Sequence, residues 1–167
     1  VISKPLDNIE QNQSKMAILT SNSVESSSEK VLLTGGEGHD VLVSSTVNDL
    51  IIGGAGADTV LFNLLNANDA TGGNGKDNWV DFNLANVTTN NPGDSINLVG
   101  LLDGKQTSQN IGDYLSANFD GKDTVIAIDR DGSGAEFTGK SDLLVLENIN
   151  TNLQDLLDNQ QVIYSIG

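Results

Sequence analysis

The sequence predicts a mainly β protein: a short parallel β-solenoid capped by a C-terminal β-rich region with one or two short helices. Three observations carry this expectation. One nine-residue phrase recurs in the first half, the copies keep its phase, and the second half alternates short apolar runs with Gly, Asn and Asp turn signals.

The phrase is G-G-x-G-x-D-x-U-x, with U a large apolar residue. It is complete at Gly35-Gly-Glu-Gly-His-Asp-Val-Leu-Val43, Gly53-Gly-Ala-Gly-Ala-Asp-Thr-Val-Leu61 and Gly72-Gly-Asn-Gly-Lys-Asp-Asn-Trp-Val80. A worn copy, Ser44-Ser-Thr-Val-Asn-Asp-Leu-Ile-Ile52, fills the gap between the first two and keeps Asp49 and Ile51. Glycines at the first, second and fourth positions allow a turn that points its own carbonyls inward, and the aspartate at the sixth adds a carboxylate beside them. Hard oxygen donors on a flexible loop suit Ca²⁺ better than Zn²⁺ or Mg²⁺. The last three positions are short strands whose middle residue faces one way and whose neighbours face the other.

Two repeats make one coil, so turns on one edge lie two copies apart. Gly35 to Gly53 is that interval; Gly53 to Gly72 is one residue longer, and 62–71 stands where a second worn copy would be. The three complete turns are therefore expected to stack along one edge with two metal layers between them. On the other edge the Ser44 turn lacks its glycines. Any metal there would rest on Asp49 and Asp69, and that edge is expected to be mostly metal-free.

These repeats resemble the repeats-in-toxin (RTX) β-roll. The resemblance implies that each ion takes the carbonyls at positions two and four and the aspartate of the earlier turn, with the carbonyls at positions one and three and the aspartate of the later turn. A first ion would sit among Gly36, Gly38 and Asp40 on one side and Gly53, Ala55 and Asp58 on the other. A second would use Gly54, Gly56 and Asp58 with Gly72, Asn74 and Asp77, so that Asp58 is shared and two or more Ca²⁺ are bound. Without metal, the stacked carboxylates would repel one another.

Composition agrees. The 167 residues hold 8 Lys plus Arg against 23 Asp plus Glu, a formal charge of -15, which argues against nucleic acid or an anionic membrane as partner and for divalent cations. Aromatic residues are only 4%, a thin supply for a core, so metal binding is expected to provide part of the folding free energy. Cysteine is absent, which removes disulfide, zinc-thiolate and thiol-nucleophile chemistry. No apolar run is long enough to span a membrane and no signal-peptide pattern opens the chain. A start at Val1 without methionine points to a fragment of something longer.

In chain order, 1–30 reads as a linker or the tail of a preceding module, with 16–20 able to form a strand and 21–28 a polar run. The roll is expected over 31–82, with Val31-Leu-Leu33 as the strand of a further worn repeat and 26–30 blunting its open edge. Leu42, Ile51, Val60 and Trp79 occupy the inward position. Val43, Ile52, Leu61 and Val80 should face outward, an apolar stripe that the C-terminal half is expected to cover. Trp79 is large for a roll interior and marks the last coil opening toward that half.

From 83 to 167 a capping region follows. Asp94-Ser-Ile-Asn-Leu98 alternates as a strand, 98–102 is an apolar knot, and Ile111, Tyr114 and Leu115 have helical spacing. The runs 123–129 and 143–146 read as two antiparallel strands, 150–158 as a short helix with an Asn or Thr cap, and 162–166 as a closing strand. Asp129-Arg-Asp-Gly-Ser-Gly134 begins like an EF-hand loop, but Lys140 stands where a bidentate glutamate is required, and a hairpin turn is the expectation. The order GDSINLVGLL, IGDYLSANFDGKDTVIAIDRDGSG, LLVLENI, LQDLLDNQQVIYS resembles the C-terminal target domain of type I secreted proteins, in the version that closes very large bacterial adhesins. That resemblance covers about half the chain and implies an uncleaved export signal near the C-terminus, read by an ABC transporter complex while the chain is unfolded.

No catalytic constellation is found. His39 is the only histidine and sits at a variable repeat position, and there is no H-E-x-x-H, G-x-S-x-G or Walker loop. The expectation is therefore not an enzyme but a calcium-gated folding and type I secretion module of a large adhesin-like protein, secreted or at the bacterial cell surface. Its partners would be the ABC transporter complex and upstream domains of the same polypeptide. The alternatives are a calcium-stiffened surface-binding module and the secretion tail of an RTX toxin or hydrolase.

Overall fold

The computed structural model describes residues 18–19 and 30–165. The linker expected over 1–30, the blunting segment and the last residue of the closing strand lie almost wholly outside these.

Strands alternate between two facing sheets, as a solenoid requires. Sheet A holds β1 (Ile18–Leu19), β3 (Val41–Val43), β5 (Thr59–Leu61), β7 (Ser95–Asn97) and β11 (Val162–Ile163), in that order and all parallel. Sheet B runs β2 (Val31–Glu37), β4 (Asp49–Ala55), β6 (Asp77–Trp79), β10 (Ser141–Leu146), β9 (Thr124–Ile128) and β8 (Leu115–Phe119). Its first four strands are parallel; β9 and β8 are antiparallel additions. The one-turn helix α1 (Ile111–Tyr114) leads into β8, and α2 (Leu153–Asp158) joins β10 to β11, with Asn152 accepting the Asp155 N–H as its cap.

The inward position of the repeat builds the core. In sheet B, Leu33, Ile51, Trp79 and Leu146 stand in register; in sheet A, Leu42, Val60, Ile96 and Val162 do so. All eight are buried, and they belong to one hydrophobic cluster. The apolar column thus runs on past the repeats into residues that carry none of the glycines.

This corrects two expectations. The boundary expected at residue 82 falls inside both sheets, because β7, β10 and β11 continue them. Nor does the C-terminal half close over the outer stripe: it joins the roll through strand edges, while Val43, Ile52 and Leu61 are half-buried and Val80 is 39% exposed. A strand edge offers both a hydrogen-bond ladder and a continuing apolar column, whereas the outer stripe offers contact alone. Trp79 does adjoin the C-terminal half, through Leu146, and its ring meets Phe82 edge-on with centroids 5.0 Å apart. The predicted antiparallel pair is β9 and β10, but β8 was not anticipated, since Leu115 fits the helical spacing of Ile111 and Tyr114.

Candidate metal centre

On one edge the first two complete turns stack as expected. Gly36 pairs with Gly54 and Glu37 with Ala55, the Asp40 N–H donates to Asp58 Oδ1 at 3.0 Å, and the Gly38 N–H donates to the Ala55 carbonyl at 2.8 Å. Gly54 and Gly56 have φ of 97° and 122°, and a Cβ on either would collide with the carbonyl oxygen of Gly36 or Gly38. The Gly53 carbonyl and Asp40 Oδ2 both lie where a Cβ on Gly35 would be. Asp40 and Asp58 are 2% and 1% exposed, and Asp58 Oδ2 is buried with no hydrogen-bond partner.

Those residues fit a calcium ion. The donors are carbonyl and carboxylate oxygens on glycine turns, and the Ala55 carbonyl that accepts from Gly38 keeps a second lone pair. Among the described residues no three His, Cys, Asp or Glu side chains converge as a metal cluster, so main-chain oxygens have to complete any shell here. Gly36, Gly38 and Asp40 face Gly53, Ala55 and Asp58 as the first expected ligand set.

The second expected set does not form. Register places Asn78 beside Leu50 and Trp79 beside Ile51, so Asp77 stacks on Asp49, on the opposite edge from Asp58. Gly72, Asn74 and Asp77 therefore do not meet Gly54, Gly56 and Asp58. The cause is the segment 62–76, which forms no strand. One missing strand sends every later strand to the other sheet, and β6 joins β4 instead of β5. Asp69 Oδ1 ties this loop by accepting from Thr71 N, Thr71 Oγ1 and Gly73 N, and the Thr71 hydroxyl bond is the main reason its pKa is lowered. From the far side Arg130 donates to the carbonyls of Ala67 (2.6 Å) and Asp69 (3.2 Å). Gly72 spends its carbonyl on the N–H groups of Leu65 and Asn66.

The opposite edge is closed by hydrogen bonds. Asp77 accepts from Asp49 N and Ser44 Oγ, both at 2.8 Å, and Asp49 accepts from Ser45 N at 2.7 Å and Ser45 Oγ at 2.6 Å. All four carboxylate oxygens are satisfied, which accounts for serines where glycines are missing. Asp77→Asn keeps the shape and an acceptor for Asp49 N, so it is expected to leave the calcium midpoint of folding within about twofold of the parent, a shift of roughly 0.4 kcal/mol. Circular dichroism during a calcium titration checks this.

Asp94 takes the place expected for Asp77. Its Oδ1 accepts from Asp58 N at 2.9 Å and its Oδ2 from Asn83 N at 2.7 Å, and Ser95 pairs with Thr59. Asp94-Ser-Ile-Asn97 is the tail of a repeat without its glycines, which is the signal that could have identified it. The Asp129 to Glu136 segment lies between strands, and its turn bonds run from Gly132 N to the Asp129 carbonyl and from Gly134 N to the Asp131 carbonyl.

Burial raises Asp58 to about 6 and Asp94 to about 7, against the N–H bonds that each accepts. Asp49 and Asp77 are also raised, by burial first and, at Asp77, by the Asp49 charge next. Folded values above the ordinary carboxylate range mean that these four groups hold more protons in the folded, metal-free chain than in the unfolded one. The stability that these four carboxylates contribute is thus fullest below pH ~4 and is lost as pH rises through about 6 to 8. The calcium-stripped chain is expected to show more β signal by far-UV circular dichroism at pH 5 than at pH 8; an equal or smaller signal at pH 5 contradicts the burial argument.

Residues 34–64 match the family model of the RTX calcium-binding nonapeptide repeat (4 copies). The solution structure of the AlgE6R3 subunit from the Azotobacter vinelandii mannuronan C5-epimerase is similar at 18% identity, over 92% of this chain and 81% of that one, with a TM-score of 0.31. No curated protein sequence matches. Residues 34–64 are RTX calcium-binding nonapeptide repeats, and the parallel strands β2 to β5 to which they belong make the coils of a β-roll.

Proposed function

We propose that the chain is a calcium-gated folding and type I secretion module of a large adhesin-like protein, secreted or held at the bacterial cell surface, with no catalytic activity of its own. The observation that carries the gating is the buried, unpartnered Asp58 Oδ2 in a glycine turn stacked directly on the first, Gly54 on Gly36 and Ala55 on Glu37. Where calcium is scarce, carboxylate repulsion and glycine entropy hold the roll open, as a chain threading a channel requires. At a dissociation constant of ~10⁻⁴ M and ~1 to 10 mM calcium, each bound ion adds roughly 1.4 to 2.7 kcal/mol. One intact turn-to-turn layer supports at least one ion in the roll; two or more were expected from the spacing of the repeats.

The export half of this reading rests on the resemblance of 81–167 to type I target domains. Its mechanics are consistent with β11, which is paired to β7 in the folded chain and is accessible to a transporter complex only before folding. Deletion of 153–167 behind a passenger, in cells carrying a type I ABC transporter complex, is expected to abolish export. Undiminished export would overturn the reading.

A further inference from the structure

No third glycine turn lies over the turn 53–58; a side chain does. The Asp81 carboxylate accepts the Gly53 N–H on Oδ1 and the Gly54 N–H on Oδ2, both at 2.9 Å. Its Oδ1 also accepts the indole N–H of Trp79 at 3.1 Å. Trp79 is the only tryptophan of the chain and is fully buried, so a rigid core residue holds the carboxylate from below.

The consequence follows from the peptide plane. The Gly54 N–H and the Gly53 C=O belong to one trans peptide unit and point in opposite directions. Binding that N–H to Asp81 turns the Gly53 carbonyl the other way, toward the first turn, where it stands over Gly35 near Asp40 Oδ2. Between two glycines at the end of strand β4 this unit has no side chain to fix it, and only the ladder to β2 holds it besides Asp81. We propose that Asp81 is a positioning residue for the calcium layer, fixing the Gly53–Gly54 peptide so that the second turn presents its oxygens to the first, with Trp79 as its anchor. This rests on the assignment of an ion between turns 35–40 and 53–58. Asp81 itself is exposed and lies one residue past the last repeat, where no repeat pattern reveals it.

Paired titrations of the parent and Asp81→Asn, followed by far-UV circular dichroism and Trp79 fluorescence, test this. In the parent, both signals should move with one calcium midpoint. Asp81→Asn keeps one acceptor and loses the other, so its midpoint should rise about three- to tenfold while the folded signal at saturation is unchanged. The ratio should persist in about 1 M NaCl, where the Debye length is about 3 Å and a remote charge effect is screened. Asp81→Glu, which keeps both acceptors, should recover part of the loss, including where Asp81→Asn fails to fold. An unchanged midpoint, a shift that vanishes in salt, or no recovery with glutamate overturns the proposal. A parent with no calcium response overturns the ion assignment and this inference with it.

Discussion

Asp58→Asn is expected to raise the calcium concentration needed for folding by at least about tenfold, or some 1.4 kcal/mol of lost binding. The geometry decides which atom changes. Asp58 Oδ1 accepts the Asp40 N–H, so the amide oxygen of an asparagine has to stay there, and its NH₂ group replaces Oδ2. A donor without charge then replaces a buried carboxylate oxygen, at a residue that is 1% exposed. Charge and ligand are lost together. Asp77→Asn, an identical change at the same repeat position on the other edge, is the internal control. Equal midpoints for the two variants would contradict the assignment of the metal to one edge.

Gly56→Ala is expected to prevent roll formation even at about 10 mM calcium, with a cost on the order of 3 to 5 kcal/mol. Two penalties coincide there. The backbone sits at φ 122°, and the new methyl would overlap the Gly38 carbonyl oxygen, which is main chain and part of the ion's expected shell. Neither can be relieved without separating the turns. Gly112→Ala, in α1, meets nothing within 4 Å and should be neutral or slightly stabilising. Far-UV circular dichroism at saturating calcium separates these outcomes, and a folded Gly56→Ala chain would show that the turns do not pack as described.

The inward column was legible because its place within each copy is fixed: Leu42, Ile51, Val60 and Trp79 all fall on the eighth position and all are buried. The first ligand set was legible for the same reason. Which edge the third turn occupies was not. Its 62–71 segment is only one residue longer than a copy, and nothing local forbids a strand in it. What holds it as a loop includes Arg130, some 60 residues later in sequence, whose bonds to Ala67 and Asp69 depend on the folded C-terminal half. A count of repeats therefore misplaced Asp77, while Asp94, stripped of its glycines, went unseen as the residue above Asp58. Asp81 left no trace in the pattern because its role is defined by two amides 27 and 28 positions earlier.

A calcium titration of the whole chain by far-UV circular dichroism, from chelator to about 10 mM with magnesium in parallel, tests the central claim most directly. A cooperative gain of β signal with calcium and none with magnesium is the predicted result. Full β signal in chelator at neutral pH, unchanged by calcium, would contradict it and leave a roll that folds without its metal.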